Sequence, residues 1–248
     1  MLQNTFKKRI TFYTCLINDY DYLFEPDKNL RKFYDFYLLT NNKYYKSKFW
    51  NIIYVKKKYN NVYTNRYYKI LLHKKILRYE YSVYFDSNII IKPSIYLLIK
   101  NFIKSKKLIG LFKHSSRNNV NEEIQENYLL KKITKKSRSS IINFYKKKKY
   151  FSNNDLTENG IIFRNHQNIK LKSLMSLWWK TSRKYFARDQ IILPYCLWIK
   201  KITPKIFNVN IWKERNYFLI IPHKKKIFYH KILIRLLIFI KAYLKINT

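Results

Sequence analysis

Asp86 and Asn88 are the residues whose types and spacing most plainly suit chemistry. They stand in Tyr84-Phe85-Asp86-Ser87-Asn88, just after Val83–Phe85, and a second β-branched run, Ile89–Ile91, follows. Apolar and aromatic residues in that order suit a buried strand, so Asp86 falls at the strand's carboxyl end. That is where open α/β sheets hold their ligands. One carboxylate and one further oxygen can hold a hard divalent cation, Mn2+ or Mg2+, whose other positions go to the oxygens of a nucleotide diphosphate. Ser87 is small enough to let such a ligand approach. The same tripeptide is also a turn former, and taken alone the turn is its commoner use.

The elements that must position this pair follow from the apolar pattern. Lys7–Ile17, Phe33–Leu39 and Trp50–Val55 read as three short strands, each closed by a polar segment. From Asn65 to Tyr79 the pattern turns helical, with Tyr68, Leu71, Leu72 and Ile76 on one face and Arg66, Lys69 and His73 between them. Pro93 opens a helix over Ser94–Ile103, and Lys107–Phe112 is a further strand that delivers His114 and Arg117, with Glu122 and Glu123 close behind. Residues 121–150 are charged and helical. A turn at Leu156–Gly160 then feeds a strand to His166, a helix carries Trp178 and Trp179, and Arg188-Asp189-Gln190 opens an apolar segment to Trp198. Strands alternating with helices indicate an α/β sheet. Gly110 and Gly160 are the chain's two glycines and mark backbone geometry or close approach.

Composition narrows the function classes. At 248 residues the chain supports one domain, or at most two. No long uncharged apolar run suits a transmembrane helix, no signal peptide is evident, and Cys15 and Cys196 read as two buried reduced thiols, which points to the cytoplasm. The formal charge of +38 invites a nucleic-acid-binding reading. The excess of Lys, Asn, Ile, Tyr and Phe equally suits an AT-rich coding bias expressed on a solvated surface, which would bind polyanions without discrimination. Residues 223–248 form a separate unit beyond a main domain of 1–222. There Lys231, Arg235, Lys241 and Lys245 line one side of a helix whose remainder is apolar. Such a helix suits an anionic membrane surface, and equally suits docking on the domain.

The order Asn18-Asp-Tyr20-Asp21, Arg66-Tyr-Tyr-Lys69, Tyr84-Phe-Asp86-Ser-Asn88, His114-Ser-Ser-Arg117 with Glu122-Glu123, Glu158-Asn-Gly-Ile-Ile-Phe-Arg164, Trp178-Trp179 and Arg188-Asp-Gln190 resembles the TOD/MUCI-like glycosyltransferase family. The resemblance spans roughly residues 8–200 and rests on several motifs in one order. It implies a GT-A type, Rossmann-like fold with a mixed, mostly parallel sheet and a nucleotide-sugar donor above the strand ends. Asn18 stands where the family usually has glycine, Ser115 where it often has proline, and the neutral Asn88 where a second carboxylate is usual.

Roles follow from that resemblance. Glycosyl transfer loads charge onto a departing diphosphate, which cations must meet. Asp86 and Asn88 would hold the metal, and Asn18, Tyr20, Asp21, Arg66, Lys69, Ser87, His114 and Arg117 would line the donor. For Lys69 a solvated helix face is an equal reading, His114 alone suits a structural role, and either glutamate can simply balance Arg117. Asp189 is the expected catalytic carboxylate, as general base in an inverting enzyme or as charge stabiliser in a retaining one, with Glu158 as the other candidate. An aspartate before an apolar run also caps a helix. Trp178 or Trp179 would stack an acceptor sugar, at most one of the two, with Arg188 and Gln190 nearby. The expected acceptor is a glycan or a lipid-linked group in surface polysaccharide or glycoconjugate synthesis, and an inactive relative that only binds glycan or lipid is the third reading.

Overall fold

The computed structural model describes residues 9–185 and 188–224. The elements in chain order are β1 (Ile10–Leu16), α1 (Lys28–Arg31), β2 (Asp35–Thr40), β3 (Asn51–Tyr54), α2 (Asn61–Ile70), β4 (Tyr81–Phe85), β5 (Ile89–Ile91) and α3 (Ile95–Lys104). There follow β6 (Ile109–Lys113), α4 (Val120–Leu129), α5 (Lys135–Lys147), β7 (Thr157–Asn165), α6 (Ile169–Lys184), α7 (Asp189–Ile199), β8 (Lys205–Phe207) and β9 (Phe218–Ile220). Seven strands form one sheet in the order β3-β2-β1-β4-β7-β6-β8, and β5 pairs with β9 in a small second sheet. The sheet is mixed and mostly parallel: β1 lies parallel to β2 and β4, and β6 to β8, while β7 runs against both β4 and β6. The carboxyl ends of β1, β2, β4 and β6 therefore meet the start of β7 at one edge.

Strand alternation divides the core into two layers. On β1, Ile10, Phe12 and Leu16 pack with Leu98, Ile99 and Phe102 of α3, whereas Tyr13 and Cys15 face α2, α6 and α7. On β4, Val83 and Phe85 join the first layer and Tyr84 the second. Gly110 lets this sheet pack closely: a Cβ there would meet Phe102 at 2.9 Å and Phe163 and Phe207 at 3.1 Å. Gly160 has no positive φ, and a Cβ would stand 3.4 Å from Asp86 Oδ2.

Two expected helices differ. The 65–79 helix stops at Ile70 because the Lys69 carbonyl, an open acceptor of the last turn, is taken by Tyr13 Oη at 3.0 Å and Arg164 Nη2 at 2.8 Å. Leu71 then turns extended, and Ile76 reaches the core from a turn instead. The charged 121–150 stretch is two helices, broken where Lys131 adopts φ 51° and Thr134 caps α5. The C-terminal amphipathic helix expected over 223–248 lies, past Lys224, outside the described residues. No helix among the described residues is long and apolar enough to cross a membrane.

Candidate active site at the strand ends

Asp86 is both turn residue and strand-end carboxylate. Its N–H donates to the Gly160 carbonyl at 2.8 Å, and its own carbonyl accepts from Ile89 N–H at 2.9 Å, closing a turn over Ser87 and Asn88. The side chain is about one-third exposed. Tyr84 donates its hydroxyl to Oδ1 at 2.7 Å, and burial followed by the Asp86 charge raises the Tyr84 phenol far above its usual value, so it stays a donor. Oδ2 accepts no hydrogen bond among the described residues.

Lys69 joins this carboxylate to a second one. Its ammonium is buried, 2.8 Å from Asp189 Oδ2 and 3.6 Å from Asp86 Oδ1. Arg66, one turn earlier on the same face of α2, brings Nε to 3.7 Å from Asp189 Oδ1. Arg188, not Asp189, is the N-cap of α7, so Asp189 opens the helix with its carboxylate near the positive end of the dipole. Burial works against ionising Asp189, but Lys69, then Arg66 and Arg188, outweigh it and hold the carboxyl well below the carboxylate range.

A second polar cluster forms between β6, β7 and α4. Glu158 accepts from Ser115 Oγ at 3.0 Å, Gln190 Nε2 at 3.0 Å and Trp212 Nε1 at 3.2 Å. His114 accepts at Nδ1 from the backbone N–H groups of Ser116 and Arg117, at 3.3 and 3.1 Å. Its Nε2 lies 3.3 Å from Arg117 Nη2, 3.6 Å from Glu158 and 3.7 Å from Glu123. Burial lowers its pKa, with Arg117 acting in the same direction against the pull of Glu158. Arg117 pairs with Glu123 at 2.6 Å, while Glu122 receives Asn118 N–H and Asn119 Nδ2.

Several expected ligand contacts are used up inside the protein. Trp178 is fully buried and donates to the Asp189 carbonyl at 2.9 Å, and Trp179 packs against Tyr59 and Tyr67 at centroid distances of 5.3 and 5.2 Å. Neither offers a ring face to a sugar, because helix α6 turns both indoles into the core. Asp21 is buried and binds the returning chain, accepting from Tyr22 N–H, His223 Nδ1 and Lys224 N–H. Asn18 takes the left-handed conformation (φ 56°) and pairs with Asn41, while the Tyr20 phenol lies beside Asp86 and Ser87. His114 is closed into the Glu123–Glu158 cluster rather than open to a donor.

Trp212 is the residue that sequence reasoning missed. It is 54% exposed and donates Nε1–H to Glu158, the carboxylate that also holds Ser115, which lines a 620 Å3 cavity with His114, Asn208 and Asn210. No spacing signal marked it; only the fold brings residue 212 to the start of β7. A larger cavity, 690 Å3, opens on the other side of Asp189 between α2, α5 and the end of α6.

A divalent cation fits this site in a limited way. Among the described residues no three His, Cys, Asp or Glu side chains gather as ligands. Asp86 Oδ2 and the side-chain Oδ1 of Asn88, whose Nδ2 is committed to the Ile221 carbonyl at 2.7 Å, are the two oxygens the motif can offer. Two protein oxygens suit a cation whose coordination a diphosphate completes.

The chain matches the TOD1/MUCI70, glycosyltransferase-like domain over residues 8–225. No characterised protein matches it by sequence. Among solved structures it is similar to a glycosyltransferase involved in glycosylation of the major capsid of PBCV-1 (10% identity, 86% of this chain and 92% of that one, TM-score 0.44). It is also similar to the 4-diphosphocytidyl-2C-methyl-D-erythritol synthase of Anaerococcus prevotii (11%, 92% and 99%, TM-score 0.48). A third is mouse xyloside xylosyltransferase 1 in its apo form (8%, 82% and 85%, TM-score 0.41).

Proposed function

From the premise that this chain belongs to the TOD1/MUCI70 family of glycosyltransferase-like domains, we propose that it moves a sugar from a nucleoside-diphosphate donor to a glycan or lipid-linked acceptor. The observation that carries this reading is Asp86, a partly exposed carboxylate at the end of β4, joined through the buried Lys69 ammonium to Asp189.

A bound Mn2+ or Mg2+, held by Asp86 and Asn88, would neutralise the departing diphosphate. The chain's own residues do the rest by position and charge. Tyr84 and Lys69 fix Oδ1 of Asp86, which leaves Oδ2 turned toward the ligand side. Lys69 supplies a positive charge beside that carboxylate, and Asp189 keeps the ammonium in place. Held so far below neutrality, Asp189 is a weak base, so its contribution is electrostatic rather than proton abstraction. Glu158 is saturated with neutral donors, and its role is to orient Trp212 and Gln190. Trp212 takes the sugar-stacking role first assigned to Trp178 or Trp179. An exposed indole anchored on Glu158 suits stacking on a sugar ring.

The test is a thermal-shift screen of UDP-, GDP-, CMP- and dTDP-sugars, with and without manganese, followed by donor turnover. Stabilisation by one nucleotide class, lost in a folded Asp86→Ala variant, is the expected result. Unchanged binding in that variant would overturn the assignment.

A further inference from the structure

The 690 Å3 cavity beside Asp189 is lined by five basic side chains, Arg66, Lys132, Lys136, Lys184 and Arg188, and by no carboxylate. In a chain with 52 basic and 14 acidic residues, an all-basic lining is by itself unsurprising. Three features set this one apart. Arg66 is only 8% exposed, so a guanidinium has been drawn out of water to the cavity wall. The Nε of Arg188 is buried and makes no hydrogen bond among the described residues. The first turn of the thirteen-residue helix α5 also borders the cavity, through Thr134, Lys136 and Ser137; Thr134 Oγ1 takes the Ser137 N–H at 3.1 Å, and the N–H groups of Lys135 and Lys136 have no acceptor within the helix. Asp189, the carboxylate beside Arg66, is already held between Lys69 and Arg66, and no carboxylate lines the cavity, so its lining keeps a positive surplus.

Cations, hydroxyls and helix N–H groups around one hollow are what a phosphate group requires. Five cations exceed what a single carboxylate would balance. The ion pairs Asp86–Lys69–Asp189–Arg66 run from the expected donor position to this cavity, so a ligand seated here lies across Asp189 from the donor. We propose that the cavity binds a phosphate-bearing portion of the acceptor, of the phosphomonoester or diphosphate class, separately from the donor nucleotide. This rests on the glycosyltransfer reading and adds to it the chemistry of the acceptor.

Inorganic pyrophosphate titrated calorimetrically into the full chain at roughly physiological salt, where exposed charges are screened beyond about 8 Å, is the probe. Lys136 and Lys184 are exposed and take no part in the Asp86–Asp189 cluster, so Lys136→Glu with Lys184→Glu should fold normally. Saturable pyrophosphate binding is expected that is unaffected by a saturating nucleoside diphosphate and weakened about tenfold or more in this double variant. Lys147→Glu with Lys148→Glu, the same charge change at the other end of α5, should leave it unaltered. Equal weakening in the two double variants would reduce the effect to overall charge and overturn the proposal, as would competition between pyrophosphate and nucleotide. Nucleotide binding in the wild type is read separately, so a chain that binds nucleotide but not pyrophosphate refutes the cavity and spares the donor site.

Discussion

The guanidinium of Arg164, buried in the middle of the molecule, donates to the backbone carbonyl of Lys69 at 2.8 Å. It also donates to the Tyr13 hydroxyl, which itself donates to that carbonyl at 3.0 Å. A charge on β7 thereby stops α2 at the turn that carries Lys69, and so sets where its ammonium stands between Asp86 and Asp189. Burial lowers the Arg164 pKa, with the Tyr13 and Tyr84 phenols opposing that shift.

Arg164→Met keeps most of the volume but removes the bonds that end α2. Charged hydrogen bonds of this kind are worth about 1.5–3 kcal/mol each, so the urea midpoint should fall by an amount matching about 3 kcal/mol. Donor affinity should fall with it, because Lys69 loses its anchor. A variant with an unchanged midpoint and unchanged donor binding would show that Arg164 positions nothing.

Lys69 and Asp189 should behave as a coupled pair. Lys69→Met alone leaves the buried Asp189 without its closest cation, and Asp189→Asn alone leaves Lys69 with only the longer pair to Asp86 and takes from Arg66 the carboxylate beside it. Each single change should destabilise by about 3–5 kcal/mol, and the double variant by clearly less than the sum. Additive losses in a denaturation cycle would contradict the geometry.

Two groups give the stability profile separate acid limbs. His166 is neutral in the folded chain, with Nδ1–H on the Tyr79 carbonyl at 2.9 Å and Nε2 facing Ser82 Oγ at 2.8 Å, and burial first, then Arg164, lowers its pKa to about 4. Between pH 6.5 and 4 the unfolded chain takes up a proton that the native chain refuses, so stability falls by about 2–3 kcal/mol. His166→Gln should flatten that limb. Asp189 acts lower: its contribution is complete above its ordinary value of 3.8 and is lost as pH falls through its depressed native value. Stability measured by denaturant at pH 7, 5, 3.5 and 2 in wild type, His166→Gln and Asp189→Asn separates the two, the step from pH 7 to 3.5 reporting His166 and the step below it Asp189.

The strands leading to Asp86 and His114 were legible because apolar runs ended at polar residues, whereas Glu158, expected in a turn over Leu156–Gly160, already lies in β7. Spacing of three put Arg66 and Lys69 on one side of a helix, but that this side is buried against the strand end, and not solvated, depends on packing that spacing does not show. The end of α2 was not legible, because Leu71, Leu72 and Ile76 continue a helical period while the carbonyl acceptors go to Tyr13 and Arg164, far off in sequence. The burial of both Trp178 and Trp179 was hidden for a similar reason: α6 packs against both α2 and α7, so adjacent positions on it are covered from two sides. Short strands β8 and β9, and with them Trp212, carry too few residues to show a period.

Trp212 and Trp178 should therefore separate cleanly in kinetics. Trp178→Phe removes a buried indole and its bond to the Asp189 carbonyl, and should destabilise the fold by about 1–3 kcal/mol through packing and the lost bond. Trp212→Ala touches an exposed ring and should leave the denaturation midpoint within about 0.5 kcal/mol, while raising KM for the sugar-bearing substrate about tenfold, as loss of a stacked aromatic contact predicts. Trp212→Phe keeps a ring but not the Nε1–H bond to Glu158, and should fall between wild type and alanine. An alanine variant with unaltered KM for donor and acceptor would remove Trp212 from the site.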